Sequence, residues 1–135
     1  MKLTTQQVFD NALFGLRKQR VRSTDIRDLC MYRGTSTKGE VLRCGIGLSV
    51  EDDGIAREMD ESSDSSISAL VNSIEDVEVI FGHLNPDFLR EVQGAHDENL
   101  ALETECEGEV VRGLALFEMA MSNIAAKYEL NYTKD

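Results

Sequence analysis

Only one stretch of this chain alternates with the two-residue period of a strand, and it limits the fold more than any other feature. Between Cys30 and Val50, Cys30 and Tyr32 share one face; Leu42, Cys44, Ile46 and Leu48 share another, with Val41, Arg43 and Gly45 opposite. A polar loop bounded by Gly34 and Gly39 separates the two runs. The pattern predicts a β-hairpin with strands from Cys30 to Arg33 and from Val41 to Val50. A lone hairpin cannot close a core by itself, so helices must supply the rest. The expected fold is α+β: a mostly helical single domain with a central β-hairpin.

The helical segments read clearly. Thr4 and Gln7 form a capping box, with Leu3 and Val8 at the staple positions. Val8, Phe9, Ala12, Leu13 and Leu16 then share one helical face, and Arg17, Lys18 and Arg20 fill the last turn, where cations suit the dipole. Ser23-Thr24-Asp25 is a second capping cluster, with room for a short turn before Cys30. A turn of helix is expected around Ile55 to Met59. A short helix through Ile67, Leu70 and Val71 is expected with Asp64 or Ser65 as its cap. Val77 to Phe81 fits a strand or a helical turn, and periodicity does not decide at that length. Asn85-Pro86-Asp87 opens a helix with Phe88, Leu89 and Val92 on its apolar face. Val110, Leu114, Phe117, Met121, Ile124 and Tyr128 form a stripe over five turns, predicting a long last helix that packs on the first helix and the hairpin.

The 135 residues suit one domain, 1–135, with an exposed acidic and serine-rich connection around 51–66. Three cysteines without CxxC spacing, behind an N-terminus that is polar from its fourth residue, read as reduced thiols in a cytoplasmic protein. The net charge of −11 is unevenly placed: residues 1–43 hold nine Lys/Arg against four Asp/Glu, and the remainder five against twenty-one. Such a field opposes nucleic acid and anionic membrane at long range, while the separation of charge suits self-association into a homo-oligomer.

Tyr32-Arg33-Gly34 and Leu42-Arg43-Cys44-Gly45-Ile46-Gly47 resemble a hairpin motif of small proteins encoded by bacteriophages and prophages. Gln7 to Asp10, Glu58-Met59-Asp60, and Leu89 to His96-Asp97 extend the likeness, although Thr35 to Lys38 replaces that family's Pro-Asp turn and Gly45 its alanine. The resemblance implies a phage or prophage origin, host-cell cytoplasm and a small α+β fold, and it carries over no catalytic residue.

Candidate chemistry is sparse. Cys44, His96 and Asp97 are the residue types of a cysteine hydrolase, but Cys44 falls mid-strand on an apolar face. Asp97 directly follows His96, a spacing expected to keep the carboxylate from the imidazole. Asp60-x-Ser62-x-Asp64 begins like a calcium loop but has Ser65 and Val71 where glycine and glutamate are needed. No metal or cofactor is expected. The candidate binding residues are Tyr32 and Arg33 at the hairpin rim, the basic cluster Arg17, Lys18, Arg20 and Arg22, and acids including Asp52, Asp53, Glu105 and Glu109. With them stand Glu51, Asp60, Glu61, Asp64, Glu103 and Glu107. The function expected is non-enzymatic: a phage accessory protein that binds a host or phage protein and inhibits a host factor through the acidic surface. The alternatives are a small Cys/His hydrolase and nucleic-acid contact through the basic end of the first helix.

Overall fold

The computed structural model describes residues 2–25 and 30–134; the turn expected between Asp25 and Cys30 lies outside them. Among the described residues six helices surround a two-stranded sheet: α1 (Thr5–Gln19), β1 (Arg33–Thr35), β2 (Val41–Arg43), α2 (Asp53–Glu61), α3 (Ile67–Ser73), α4 (Glu75–Phe81), α5 (Pro86–Asn99) and α6 (Glu107–Tyr128). The fold is the mostly helical α+β domain that the sequence predicts.

Helix α1 begins as its capping box dictates. The Thr4 hydroxyl accepts from the Gln7 N–H at 3.1 Å, and the Gln7 side chain accepts from the Thr4 N–H at 2.8 Å. All five predicted apolar residues are buried. In α5, Asn85 caps Asp87 N–H at 2.8 Å and Pro86 takes the first helical position. Helix α4 settles the open choice at Val77 to Phe81. Three acids in its first turn favour the helix dipole, and Val77 and Phe81, four apart, are buried on one side. The cap of α3 is Ser66 rather than Asp64 or Ser65; Asp64 instead accepts from the Ser66 N–H at 3.1 Å and its hydroxyl at 2.9 Å.

The hairpin is present but shorter than expected. Arg33 pairs with Arg43, Gly34 with Leu42 and Thr35 with Val41. Cys30 lies before the strand, in a lone bridge to Thr24. After Arg43 the chain leaves the ladder and turns: the Leu48 N–H donates to Cys44 carbonyl oxygen at 3.0 Å, and Gly47–Ser49 forms a 3-10 turn. Close packing forces the exit. A β-carbon on Gly47 would lie 2.1 Å from the Tyr32 carbonyl oxygen, so the chain crosses its neighbour where only glycine passes. The alternation from Leu42 to Leu48 is therefore not a two-faced strand. Cys44, Gly45, Ile46 and Gly47 are all buried.

The acidic connection contains a helix longer than one turn. Asp52 caps α2 through the Gly54 and Ile55 N–H groups, and Ala56 and Met59 enter the core, with α2 lying against β1. Helix α6 buries Val110, Phe117, Met121 and Ile124, with Leu114 and Tyr128 half-buried. Its chief partner is α5, not α1 and the hairpin as expected. Phe88 and Tyr128 meet edge-on at 5.3 Å between centroids, and Gly113 admits the carbonyl of Asn99. One continuous apolar core joins every helix. No described helix is long and apolar enough to cross a membrane.

Candidate functional site

The residues carrying the hairpin motif converge where the sheet meets α2 and α5. Ser23 is the link on one side. Its hydroxyl accepts from the Gly34 N–H at 3.0 Å and donates to the Leu42 carbonyl oxygen at 3.1 Å, so it sits inside the ladder between two paired residues. The Ser23 N–H donates in turn to His96 Nε2 at 2.9 Å. An acceptor at Nε2 places the ring proton on Nδ1, which donates to Asp97 Oδ1 at 2.6 Å. The expectation that neighbours in sequence cannot pair is thus corrected: at the end of α5 the Asp97 carboxylate folds back onto the preceding ring. Gln93, one turn earlier, donates to Asp97 at 3.2 Å and accepts from the Ile46 N–H at 3.1 Å.

Each edge of the small sheet is covered where Arg33 and Arg43 pair. Gln19 at the end of α1 grips Arg43, accepting from its N–H and donating to its carbonyl, each at 2.8 Å. Asp60 of α2 accepts from the Tyr32 N–H at 2.7 Å and the Arg33 N–H at 3.1 Å. Burial pushes the Asp60 carboxyl up, and these two N–H bonds and Arg33 pull it back. These contacts cover the Arg33 and Arg43 end of the sheet, while Val41 at the other end is exposed.

The rim residues Tyr32 and Arg33 face inward. The Tyr32 hydroxyl donates to the Ser65 carbonyl oxygen, and burial pushes its phenol up. Arg33 donates to the Val50 carbonyl oxygen at 2.6 Å and meets Asp53 as an ion pair. That contact lacks hydrogen-bond alignment at Nη1, and Nε is buried with no acceptor.

Cys44 is fully buried and accepts from the Gly47 N–H at 3.2 Å. Burial raises its thiol to about 12. Both nitrogens of the fully buried His96 are engaged by Ser23 and Asp97. The geometry therefore gives Cys44 neither a base nor a path to solvent, which a nucleophile requires. Cys30 is exposed at a cleft of about 380 Å³ lined also by Tyr32, Ser65, Arg90, Gln93 and Asp97. Burial, then the Asp97 carboxylate, pushes its thiol up, away from the thiolate form. Among the described residues no group of three His, Cys, Asp or Glu side chains is placed to hold a metal ion.

The basic cluster is largely neutralised within the chain. Arg17 forms a bidentate pair with Glu118 at 2.6 and 2.7 Å, and its guanidinium lies over the Phe14 and Tyr132 rings. Arg20 pairs with Glu107, and Arg22 donates to the Leu100 carbonyl oxygen. Lys18 is exposed. Several acids also have internal tasks. Asp52 caps α2, Asp53 meets Arg33, Glu103 accepts from the Thr37 N–H at 2.8 Å, and Glu105 from the Leu102 N–H at 3.1 Å. Glu109 lies exposed in the first turn of α6.

Sequence reasoning took Ser23 for part of a capping cluster and passed over Gln19 and Gln93, ordinary polar residues whose importance, like that of Ser23, comes from what lies across the fold. It also passed over the outer side of α6, where Val111, Leu116 and Met119 are exposed. The signal was present: from Val110 to Ala126 only Arg112 and Glu118 are charged. Compared with known proteins, the chain matches no protein-family model, no curated protein and no solved structure.

Proposed function

We propose that this is a phage or prophage accessory protein that acts without catalysis, by binding another protein through its acidic surface. The hairpin resemblance supports the origin. The observation that carries the binding reading is how the charged groups divide. Motif residues that look chemical are engaged in internal bonds, whereas Glu51, Glu58, Glu61, Glu75, Asp76 and Glu78 are exposed and hold no side-chain bond among the described residues. Of these acids Glu51 lines a cavity of about 220 Å³ between Ile55 of α2 and Ile80 of α4, and Glu61 lines another beside Arg57 and Asp60. A concentrated field of one sign steers and selects a partner of the other sign. The fitting partner is a host or phage protein with a basic surface.

Affinity capture from bacterial lysate, with nuclease-treated and untreated arms, tests this. The expected result is one dominant protein, released by salt and lost when Glu58→Lys and Glu61→Lys are combined. Capture that persists in that variant, or that disappears with nuclease, would count against the acidic-surface reading.

A further inference from the structure

The cavity between α2 and α4 is apolar within and acidic at its mouth. Its volume is about 220 Å³, and Leu3, Leu48, Ile55 and Ile80 form the walls, each half-buried against the core. Four separate stretches of chain supply them, and hydrogen bonds hold the frame. The Leu3 N–H donates to the Ile80 carbonyl oxygen at 3.4 Å, and His83 Nε2 donates to the Leu3 carbonyl oxygen at 2.6 Å. On the other side Asn11 Nδ2 donates to Ser49 Oγ at 3.1 Å. Pockets for drug-sized ligands run to about 300–1,000 Å³, so this one suits a single long side chain.

The groups at the mouth select the sign of the occupant. Glu51 is exposed and holds no side-chain bond among the described residues. The Asn11 amide oxygen is also open, because the bond to Ser49 uses the nitrogen. Asp52 spends Oδ1 on the cap of α2 and lies in the field of Arg33, so the uncommitted charge is that of Glu51. No lysine, arginine or histidine stands in the wall. Four other clefts of the molecule, of about 560, 380, 360 and 400 Å³, each have an arginine in theirs. Glu58 lies one turn after Ile55, and Asp76 one turn before Ile80, each on the helical face of its cavity residue. A carboxylate beside aliphatic walls is the complement of lysine or arginine, whose methylene stem buries while its charged head stays at the rim.

We infer that this cavity is the anchor subsite of the acidic surface, and that its occupant is a lysine or arginine side chain of a basic partner protein. The inference rests on the acidic-surface reading for the identity of the partner. The stem lies against Ile55 and Ile80, and the head donates to Glu51 and the Asn11 amide oxygen. Acids spread over a surface attract any cation, whereas a cavity that takes the stem adds a requirement of shape. The partner must therefore offer a protruding basic side chain as well as a positive field.

Methyl NMR of the full chain, titrated with the end-blocked peptide Gly-Gly-Arg-Gly-Gly, tests this directly. Citrulline in place of the arginine keeps the shape and removes the charge. The arginine peptide should move the methyl signals of Ile55 and Ile80 saturably in the millimolar range. The citrulline peptide should bind at least about 5-fold more weakly. Glu51→Gln should remove that difference, and because Glu51 is exposed, circular dichroism of the variant should match the parent. Ile80→Phe fills the cavity and should abolish saturation by either peptide. No saturable shift through tens of millimolar overturns the inference. So do equal affinities for the two peptides, or a response confined to residues outside the cavity. Lysate capture of a basic protein by a chain that does not bind the arginine peptide overturns the anchor and leaves the acidic-surface reading standing. Peptide binding without any capture supports the basic side-chain site and removes that reading.

Discussion

The junction of the hairpin with α5 and the outer face of α6 are opposites. The first is dense in cysteine, histidine, aspartate and arginine, and its groups answer one another at hydrogen-bond distance. The second has almost no polar chemistry and, among the described residues, no intramolecular partner. Residue type alone would place function at the first. Satisfaction of these groups, Arg33 Nε and Nη1 excepted, argues the other way. A buried polar group that has found its partner holds the fold together, whereas apolar surface left in water is free energy waiting for a contact.

Thiol chemistry gives the sharpest contrast between the junction and the surface. Cys44 is buried at the junction, while Cys30 and Cys106 are exposed. In the native protein Cys106 should react promptly with an alkylating reagent, and Cys30, exposed but held toward the thiol form, somewhat more slowly. The third should lag by at least about 1,000-fold, because its reaction waits on opening of the fold. Mass-resolved alkylation reads this directly. Prompt labelling of Cys44 would mean the junction opens far more readily than its bonding implies, and would revive a nucleophilic role.

Glycine substitutions make the same comparison on stability. Alanine at position 47 drives a β-carbon against the Tyr32 carbonyl oxygen, backbone against backbone, with no side chain able to yield. Gly47→Ala should cost about 3 kcal/mol or more in urea unfolding. Gly108→Ala in the first turns of α6 meets nothing within 4 Å and should be neutral or stabilising by up to about 1 kcal/mol. Similar costs at both sites would erase the distinction.

His96 is next in size. His96→Ala removes the acceptor of the Ser23 N–H and leaves a cavity beside Val92 and Leu100, for a loss of about 2–4 kcal/mol. The variant should also loosen the hairpin, seen as faster hydrogen exchange at Gly34, whose N–H is held by the Ser23 hydroxyl. A loss confined to α5 would show that Ser23 does not transmit the constraint.

The sequence made the helices legible because their signals are local. Thr4 with Gln7, and Asn85 with Pro86, act within one turn, and the buried stripes of α1 and α6 follow from period alone. The hairpin was legible as a presence but not in extent. Leu42, Cys44, Ile46 and Leu48 alternate like a strand, yet the chain turns at Cys44 because Tyr32 and Val92, distant in sequence, stand against Gly47 and Gly45. The junction was least legible. Ser23 to His96 spans 73 residues and Gln19 to Arg43 spans 24, and no pattern in one dimension announces such pairs. Asp97 on His96 was misjudged for a different reason: α5 ends at Asn99, and beside a helix end the side chain has freedom that a mid-helix position lacks.

The smallest expected effect lies at the border between the two regions, where Glu118 turns from the α6 face toward α1. Hydrogen bonds from Arg17 hold its carboxyl below the ordinary value of 4.5, against the opposing effect of burial, with the Tyr132 hydroxyl adding a further bond. A carboxylate depressed on folding contributes stability that is full above its unfolded value and is lost as pH falls through the folded one. The pair is partly open to solvent, so its share is about 1 kcal/mol or less. Thermal melts of the parent and Glu118→Gln should therefore differ near neutral pH and converge in acid below the ordinary glutamate range. Adding salt should shrink the gap only modestly, because the Arg17 side chain is only 11% exposed. If the two melts run parallel down to the acid limit, the Arg17–Glu118 pair does not tie α1 to α6, and α6 must be held by its packing on α5 and by Arg20 with Glu107.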